Sequence, residues 1–118
     1  MELIEFTTPS GYKAFIRPYL TYGQHRIIQG VILTGVKVDP TTQKQEFDAS
    51  VIYRAQDEAV KILVDKIVDK DGKEYMGFDA FNFIQTWSGN ADGDALYKKV
   101  EEIGNISSIA TEAESKKK

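Results

Sequence analysis

The chain predicts an α+β domain dominated by helix, with an N-terminal β-hairpin packed on three or four α-helices. Three observations lead there. Two short β-prone runs near the start, Leu3, Ile4 and Phe6, then Tyr12, Ala14 and Ile16, flank a Pro-Ser-Gly turn. Apolar residues recur at three- and four-residue intervals through later segments, the spacing that lines one side of a helix. At 118 residues, with 42% hydrophobic and 28% charged side chains, length and composition match one globular domain with an ordinary core. The globular part is expected over residues 1–110, with a polar, fraying tail over 111–118.

Each element has its own warrant. In the hairpin, Tyr12, Ala14 and Ile16 alternate with Lys13, Phe15 and Arg17, and Pro18 stops the second strand. An isolated hairpin is marginal in water, so one face must rest on helices. Thr21 is the expected N-cap of the first helix, whose stripe is Ile27, Ile28, Val31 and Ile32. Gly30 weakens that helix and Gly35 ends it. Val36 to Asp48 reads as a loop turning at Asp39-Pro40-Thr41-Thr42.

A long helix is expected from about Asp48 to Asp69. Its seam is Ala59, Val60, Leu63, Val64, Ile67 and Val68, with Ile62 at the seam's edge. Lys70-Asp71-Gly72-Lys73 is a turn. A short aromatic helix follows with Ala80, Phe83, Ile84 and Trp87 on one face and Phe81 displaced from it, until Ser88-Gly89-Asn90 breaks it. Asp92 or Asp94 is expected to cap a last helix carrying Leu96, Tyr97, Val100 and Ile103, interrupted at Gly104-Asn105. Ile106, Ile109, Ala110 and Ala113 resume helical spacing beyond it. The expected core is Ile16, Ile28, Val31, Ile32, Val60, Leu63, Val64, Ile67, Ile84, Trp87, Leu96 and Val100.

Composition argues against several classes of function. A net charge of -3 supplies no field that draws the domain to phosphates, so nucleic acid is not an expected partner. No apolar stretch approaches the ~20 residues that span a bilayer, so no membrane partner is expected. There is no cysteine, hence no disulfide framework.

Aligning Gly72 or Gly93 with the glycine of an EF-hand loop fails on ligands. The first puts Ile67 and Phe78 at end positions that need oxygen, and the second puts Lys99 where a bidentate carboxylate belongs. His25, the one histidine, has no Gly-x-Ser-x-Gly elbow to serve and no poised partner for acid–base work. Asp65, Asp69, Asp71 and Glu74 are interleaved with Lys66, Lys70 and Lys73, the pattern of a solvated face. Glycines 23, 30 and 35 lack the dinucleotide-binding spacing. No catalytic residue, metal ligand or cofactor is therefore expected. Ile62, Tyr75 and Phe81 are the candidate partner-binding residues, because helical phase or loop position leaves each outside the expected core.

The order of features carries a resemblance. After the hairpin come Ile16-Arg17-Pro18-Tyr19-Leu20-Thr21-Tyr22-Gly23-Gln24-His25-Arg26, then a polar loop, then Ala55-Gln56-Asp57-Glu58-Ala59-Val60-Lys61-Ile62-Leu63-Val64 with a Lys-Asp-Gly turn behind it. Asp92-Gly93-Asp94-Ala95-Leu96-Tyr97-Lys98-Lys99-Val100 comes last. Over residues 2–104 this resembles the small tail assembly chaperones, and related small tail proteins, of long-tailed bacteriophages. The resemblance implies a viral protein that acts in the host cell cytoplasm and is absent from the mature virion. It would coat the tape measure protein and help tail tube subunits assemble around it, through protein–protein contacts rather than catalysis. Because one small domain covers little of a long helical partner, weak homo-oligomer formation along it is expected. The resemblance also implies a longer form made by ribosomal frameshifting, for which the Lys116-Lys117-Lys118 run would supply adenine-rich codons; a plain solubilising tail is the alternative. The competing function is a structural virion subunit (tail tube, tail terminator or head–tail connector) that forms rings, with an enzyme or metal-binding module ranked last.

Overall fold

A computed structural model describes residues 2–38, 40, 41, 45–47, 49–106 and 108. Four helices and six short strands among them make a helix-dominated α+β fold. The weak helix expected through Ile109, Ala110 and Ala113, the 111–118 tail and its lysines lie outside the described residues.

The hairpin forms from β1 (Ile4–Thr7) and β2 (Lys13–Ile16), paired Ile4 with Ile16 and Thr7 with Lys13. Its turn is held locally: Gly11 N–H donates to the Thr8 carbonyl at 3.0 Å, and Tyr12 N–H to Thr8 Oγ1 at 3.1 Å. Helix α1 (Tyr22–Leu33) starts at Thr21 in a reciprocal cap. Thr21 Oγ1 accepts from Gln24 N–H at 3.2 Å, and Gln24 Oε1 accepts from Thr21 N–H at 3.0 Å. Helices α3 (Phe78–Gln85) and α4 (Ala91–Gly104) follow later, α4 ending on Asn105 in the left-handed region at φ 52°.

Three expectations need correction. Val36 to Asp48 is not simply loop: β3 (Val36–Val38) pairs with β4 (Gln45–Phe47) as a second hairpin. Three-residue strands are too short for alternation to register against the turn-forming residues between them. The long helix also stops early. Helix α2 covers Ala49–Leu63, and Val64–Val68 is strand β5, followed by β6 (Glu74–Met76) across the Lys70–Lys73 turn. Gly72 occupies that turn at φ +87°, where a side chain would be strained. The result is a four-stranded antiparallel sheet in the order β1-β2-β5-β6.

The misread boundary has a specific cause. The β2–β5 register shifts so that Phe15 faces Lys66 and Ile16 faces Val64, leaving Asp65 as the extra residue of a β-bulge. The bulge turns Val64 and Ile67, three residues apart, onto one buried face, and that spacing also fits a helix. The third correction is the α4 cap. Asn90 precedes the helix without a side-chain cap bond, and Asp92 reaches away to accept from Ser10 N–H at 2.8 Å.

The sheet sets Ala14, Ile16, Val64 and Ile67 against the helices, while the alternate positions Lys13 and Lys66 face away. Against that face pack Ile28 and Ile32 of α1, the Val51–Ala55–Ala59 seam with Val60 and Leu63 of α2, Ala80 and Ile84 of α3, and Leu96 and Val100 of α4. All twelve expected core residues belong to this cluster, with Val31 and Trp87 only partly buried. Ile27 does not belong. It is 54% exposed, because α2 covers α1 on one side only and the buried stripe narrows to Ile28 and Ile32.

Candidate functional site

The features that point outward are apolar side chains the core leaves uncovered. On α1, Tyr22 is 76% exposed and Ile27 lies one turn before Gly30 and Val31. Gly30, Val31 and Thr34 face Arg54, Asp57, Glu58 and Lys61 of α2 across a groove of about 500 Å³. Lys61 closes one end of it. Its ammonium ion pairs with Glu58 at 3.5 Å and sits 4.8 Å from the Phe81 ring centroid and 5.9 Å from that of Phe78. Phe78 at the start of α3 is 73% exposed and Met76, two residues before it, is 58% exposed.

The sequence candidates sit at the edge of this surface rather than at its most exposed points. Ile62 on α2 is partly buried and packed against the core. Tyr75 on β6 faces inward opposite Ile67, and its ring stacks on Phe83 at 3.9 Å. Phe81 is partly buried, packed against the core under the Lys61 ammonium. Sequence reasoning missed Phe78, Tyr53 and the exposure of Ile27. Phe78 carried a usable signal: it lies three residues before Phe81, on the same off-stripe side of α3.

A second groove, of about 560 Å³, lies on the other side of α2, where α3 and α4 meet it. Tyr97 organises it. Its hydroxyl donates to Asp57 Oδ1 at 2.7 Å and accepts from Gln85 Nε2 at 3.1 Å, tying all three helices together. Burial pushes the Tyr97 phenol well above its ordinary range, and the bond to Asp57 with that carboxylate's charge pushes the same way, against Gln85.

Other features have structural roles. The Ser10 backbone N–H holds the Asp92 carboxyl below the usual carboxylate range against the opposing effect of burial, with help from the Ser10 and Thr8 hydroxyls and the Lys70 ammonium. That bond pins the β1–β2 turn to α4. Tyr12, Phe83, Trp87 and Tyr75 form an aromatic cluster under the sheet, Tyr12 stacking on Trp87 at 4.4 Å. His25 lies in the first turn of α1, its backbone N–H bonded to the Thr21 carbonyl.

Among the described residues, no group of three or more His, Asp or Glu side chains is placed to hold a metal ion. No described helix is long and apolar enough to cross a membrane. Chemically, both grooves are lined mainly by polar and charged side chains, with Val31 in one and Ile84, Tyr53 and Tyr97 in the other as the large apolar or aromatic members. The chain matches no protein-family model, no curated protein and no solved structure.

Proposed function

We propose that this protein is a non-enzymatic tail assembly chaperone of a long-tailed bacteriophage, binding the tape measure protein in the host cytoplasm and aiding assembly of the tail tube around it. The observation that carries the reading is a pair of exposed apolar side chains near the α1–α2 groove, Ile27 one turn before Gly30 and Val31 on α1, and Phe78 beside the Lys61 ammonium. A groove between two helices with exposed apolar side chains near it can take the apolar face of a third helix, the recognition mode a long helical partner requires. The resemblance over residues 2–104, with its run from Ile16 to Arg26 and its Asp92 to Val100 segment, supplies the class of partner.

The test is co-expression with the tape measure and tail tube proteins of the phage that encodes this chain. Wild type should co-purify with the tape measure protein. Phe78→Asp and Ile27→Asp should lose most of that recovery while the thermal midpoint moves by no more than about 2 °C, since both side chains are exposed. Mass spectrometry of purified virions separates the competing function. A stoichiometric signal from this chain in mature particles would replace the chaperone with a structural subunit, for which the same apolar surface would be a ring contact.

A further inference from the structure

We infer that the open edge of β1 pairs with the same strand of a second copy of this chain, antiparallel about a two-fold axis at Phe6, so that two four-stranded sheets join into one. Such self-association needs no tape measure protein and is independent of the function proposed above.

The edge holds unused hydrogen-bonding capacity. β1 is the end strand of its sheet, and among the described residues its one strand neighbour is β2. The turn shows which backbone groups point where. Thr8 N–H donates to the Tyr12 carbonyl at 2.8 Å, in the same register that pairs Phe6 with Ala14 and Ile4 with Ile16. Backbone groups alternate in direction along an antiparallel strand, so Ile4, Phe6 and Thr8 turn theirs to β2 while Glu5 and Thr7 turn theirs outward. Both of the latter are exposed, and among the described residues neither makes a backbone bond outside the sheet. Ile4 and Phe6 point the other way and are only half-buried at the margin of the core, where a further strand would extend their cover.

Register favours a second copy. A continuous sheet pairs outward-turned residues with outward-turned residues, so the axis can fall at Glu5, Phe6 or Thr7. Centring on Glu5 sets two carboxylates directly opposite, a destabilising like-charge pair. Centring on Thr7 sets Glu5 against Pro9, which has no N–H to give. Centring on Phe6 sets Glu5 of each copy against Thr7 of the other, and each such pair exchanges both N–H···O bonds. The Phe6 rings of the two copies then meet as the closer, non-hydrogen-bonded pair on the core side.

Charge on the outer face agrees. Glu5 and Lys13 are exposed and opposite in sign, and neither has an ion-pair partner among the described residues. Lys13 pairs with Thr7 within one copy, and Thr7 with Glu5 of the second, so ammonium and carboxylate stand in one row across a short threonine. At the usual strand spacing their Cα atoms are about 10 Å apart, a gap that extended lysine and glutamate side chains close. Symmetry makes the pair on both sides of the axis. The other edge strand, β6, lacks this match, since its Glu74 already pairs with Lys66 at 3.2 Å. Pairing over so short a strand buries little area, so the dimer is weak and forms as concentration rises.

Sedimentation of the full chain over a rising concentration series, with amide exchange followed by NMR, tests this. A dimer should appear with concentration, and the Glu5 and Thr7 amides should then exchange at least fivefold more slowly. Glu5→Lys and Lys13→Glu should each weaken self-association at least fivefold at low salt, because like charges then face each other across the axis. An equimolar mixture of those two variants should restore it, since each chain supplies the sign the other lacks. Thr7→Pro removes an outward N–H and no bond to β2, so it should abolish the dimer with little change in thermal midpoint. A chain that stays monomeric throughout, a mixture that associates no better than either variant alone, or Glu5 and Thr7 amides that exchange unchanged in the dimer overturns the inference. Species that grow past the dimer overturn it too, since an open chain through β6 would then replace the two-fold pair.

Discussion

Two glycines at the end of the first helix should respond to alanine with opposite signs. Gly30 sits inside α1 with nothing within 4 Å of a Cβ built on it. Gly30→Ala adds helix propensity and narrows the unfolded ensemble, a gain of about 0.5–1 kcal/mol. A Cβ on Gly35, just past the helix, would collide with Val51 Cγ2 and fall 2.7 Å from Val51 Cβ, where ordinary contact begins near 3.4 Å. Rotating Val51 moves its methyl groups but not its Cβ, so α1 and α2 must part, and Val51 is fully buried between them. Overpacking of this kind costs about 1–3 kcal/mol. At about 4 °C per kcal/mol for a domain of this length, Gly30→Ala should raise the thermal midpoint by about 2–4 °C and Gly35→Ala lower it by about 4–12 °C. Val51→Ala alone should cost about 2 kcal/mol through its lost methyl groups. Combined with Gly35→Ala it should cost at least about 1 kcal/mol less than the sum of the two, because the nearest clashing atoms are gone. Thermal and urea unfolding followed by circular dichroism and by the fluorescence of Trp87 measure all four variants. A stabilised Gly35→Ala, or strictly additive effects, would refute the close approach of α1 to Val51.

Asp92 makes stability depend on acid. Its carboxyl is held below its unfolded value, so its contribution is present above about pH 4 and is lost as pH falls through the lowered folded value. Asp92→Asn should flatten the acid limb of the stability profile and speed exchange of the Ser10 amide; an unchanged limb would show that other carboxylates dominate. Tyr97 acts at the other end: its raised phenol gives stability that is complete below about pH 10 and is lost as pH rises toward its folded value. In an ultraviolet titration one of the six tyrosines should resist ionisation until the chain unfolds. Tyr97→Phe should remove that late event and cost about 1 kcal/mol at neutral pH; six tyrosines ionising together would contradict the buried hydroxyl.

Much of the fold was legible because burial leaves a periodic trace. Ile28 with Ile32, Val60 with Leu63, and Leu96 with Val100 fall inside, as their spacing demands, and Thr21 caps α1 as its side chain allows. What escaped was the sheet beyond its first hairpin. Strand β5 follows α2 with no intervening loop, and its bulge at Asp65 reproduces helical spacing in a strand, so no local pattern separates the two. Only pairing with β2, some fifty residues earlier, resolves the ambiguity, and a long-range pairing has no local signature. Asp92 escaped for a related reason. A carboxylate in the first turn of a helix reads as a cap, yet Ser10, 82 positions away in sequence, takes it.

The candidate docking surfaces were less legible than the core, and the asymmetry is physical. Periodicity records which residues are covered; whether an apolar residue off the stripe is covered depends on where the next element lands. Ile27 and Ile28 are adjacent and equally apolar, yet α2 covers one and leaves the other open. Phe78 and Phe81 share a side of α3, yet Phe81 packs against the core while Phe78 stands clear of it. Helical phase or loop position singles out Ile62, Tyr75 and Phe81, and tertiary placement sets each at the core's margin. Composition likewise averages charge over the chain. A net of -3 hides one groove whose charges cancel and another whose rim carries three carboxylates against a single lysine, and both flank α2 through the shared Asp57.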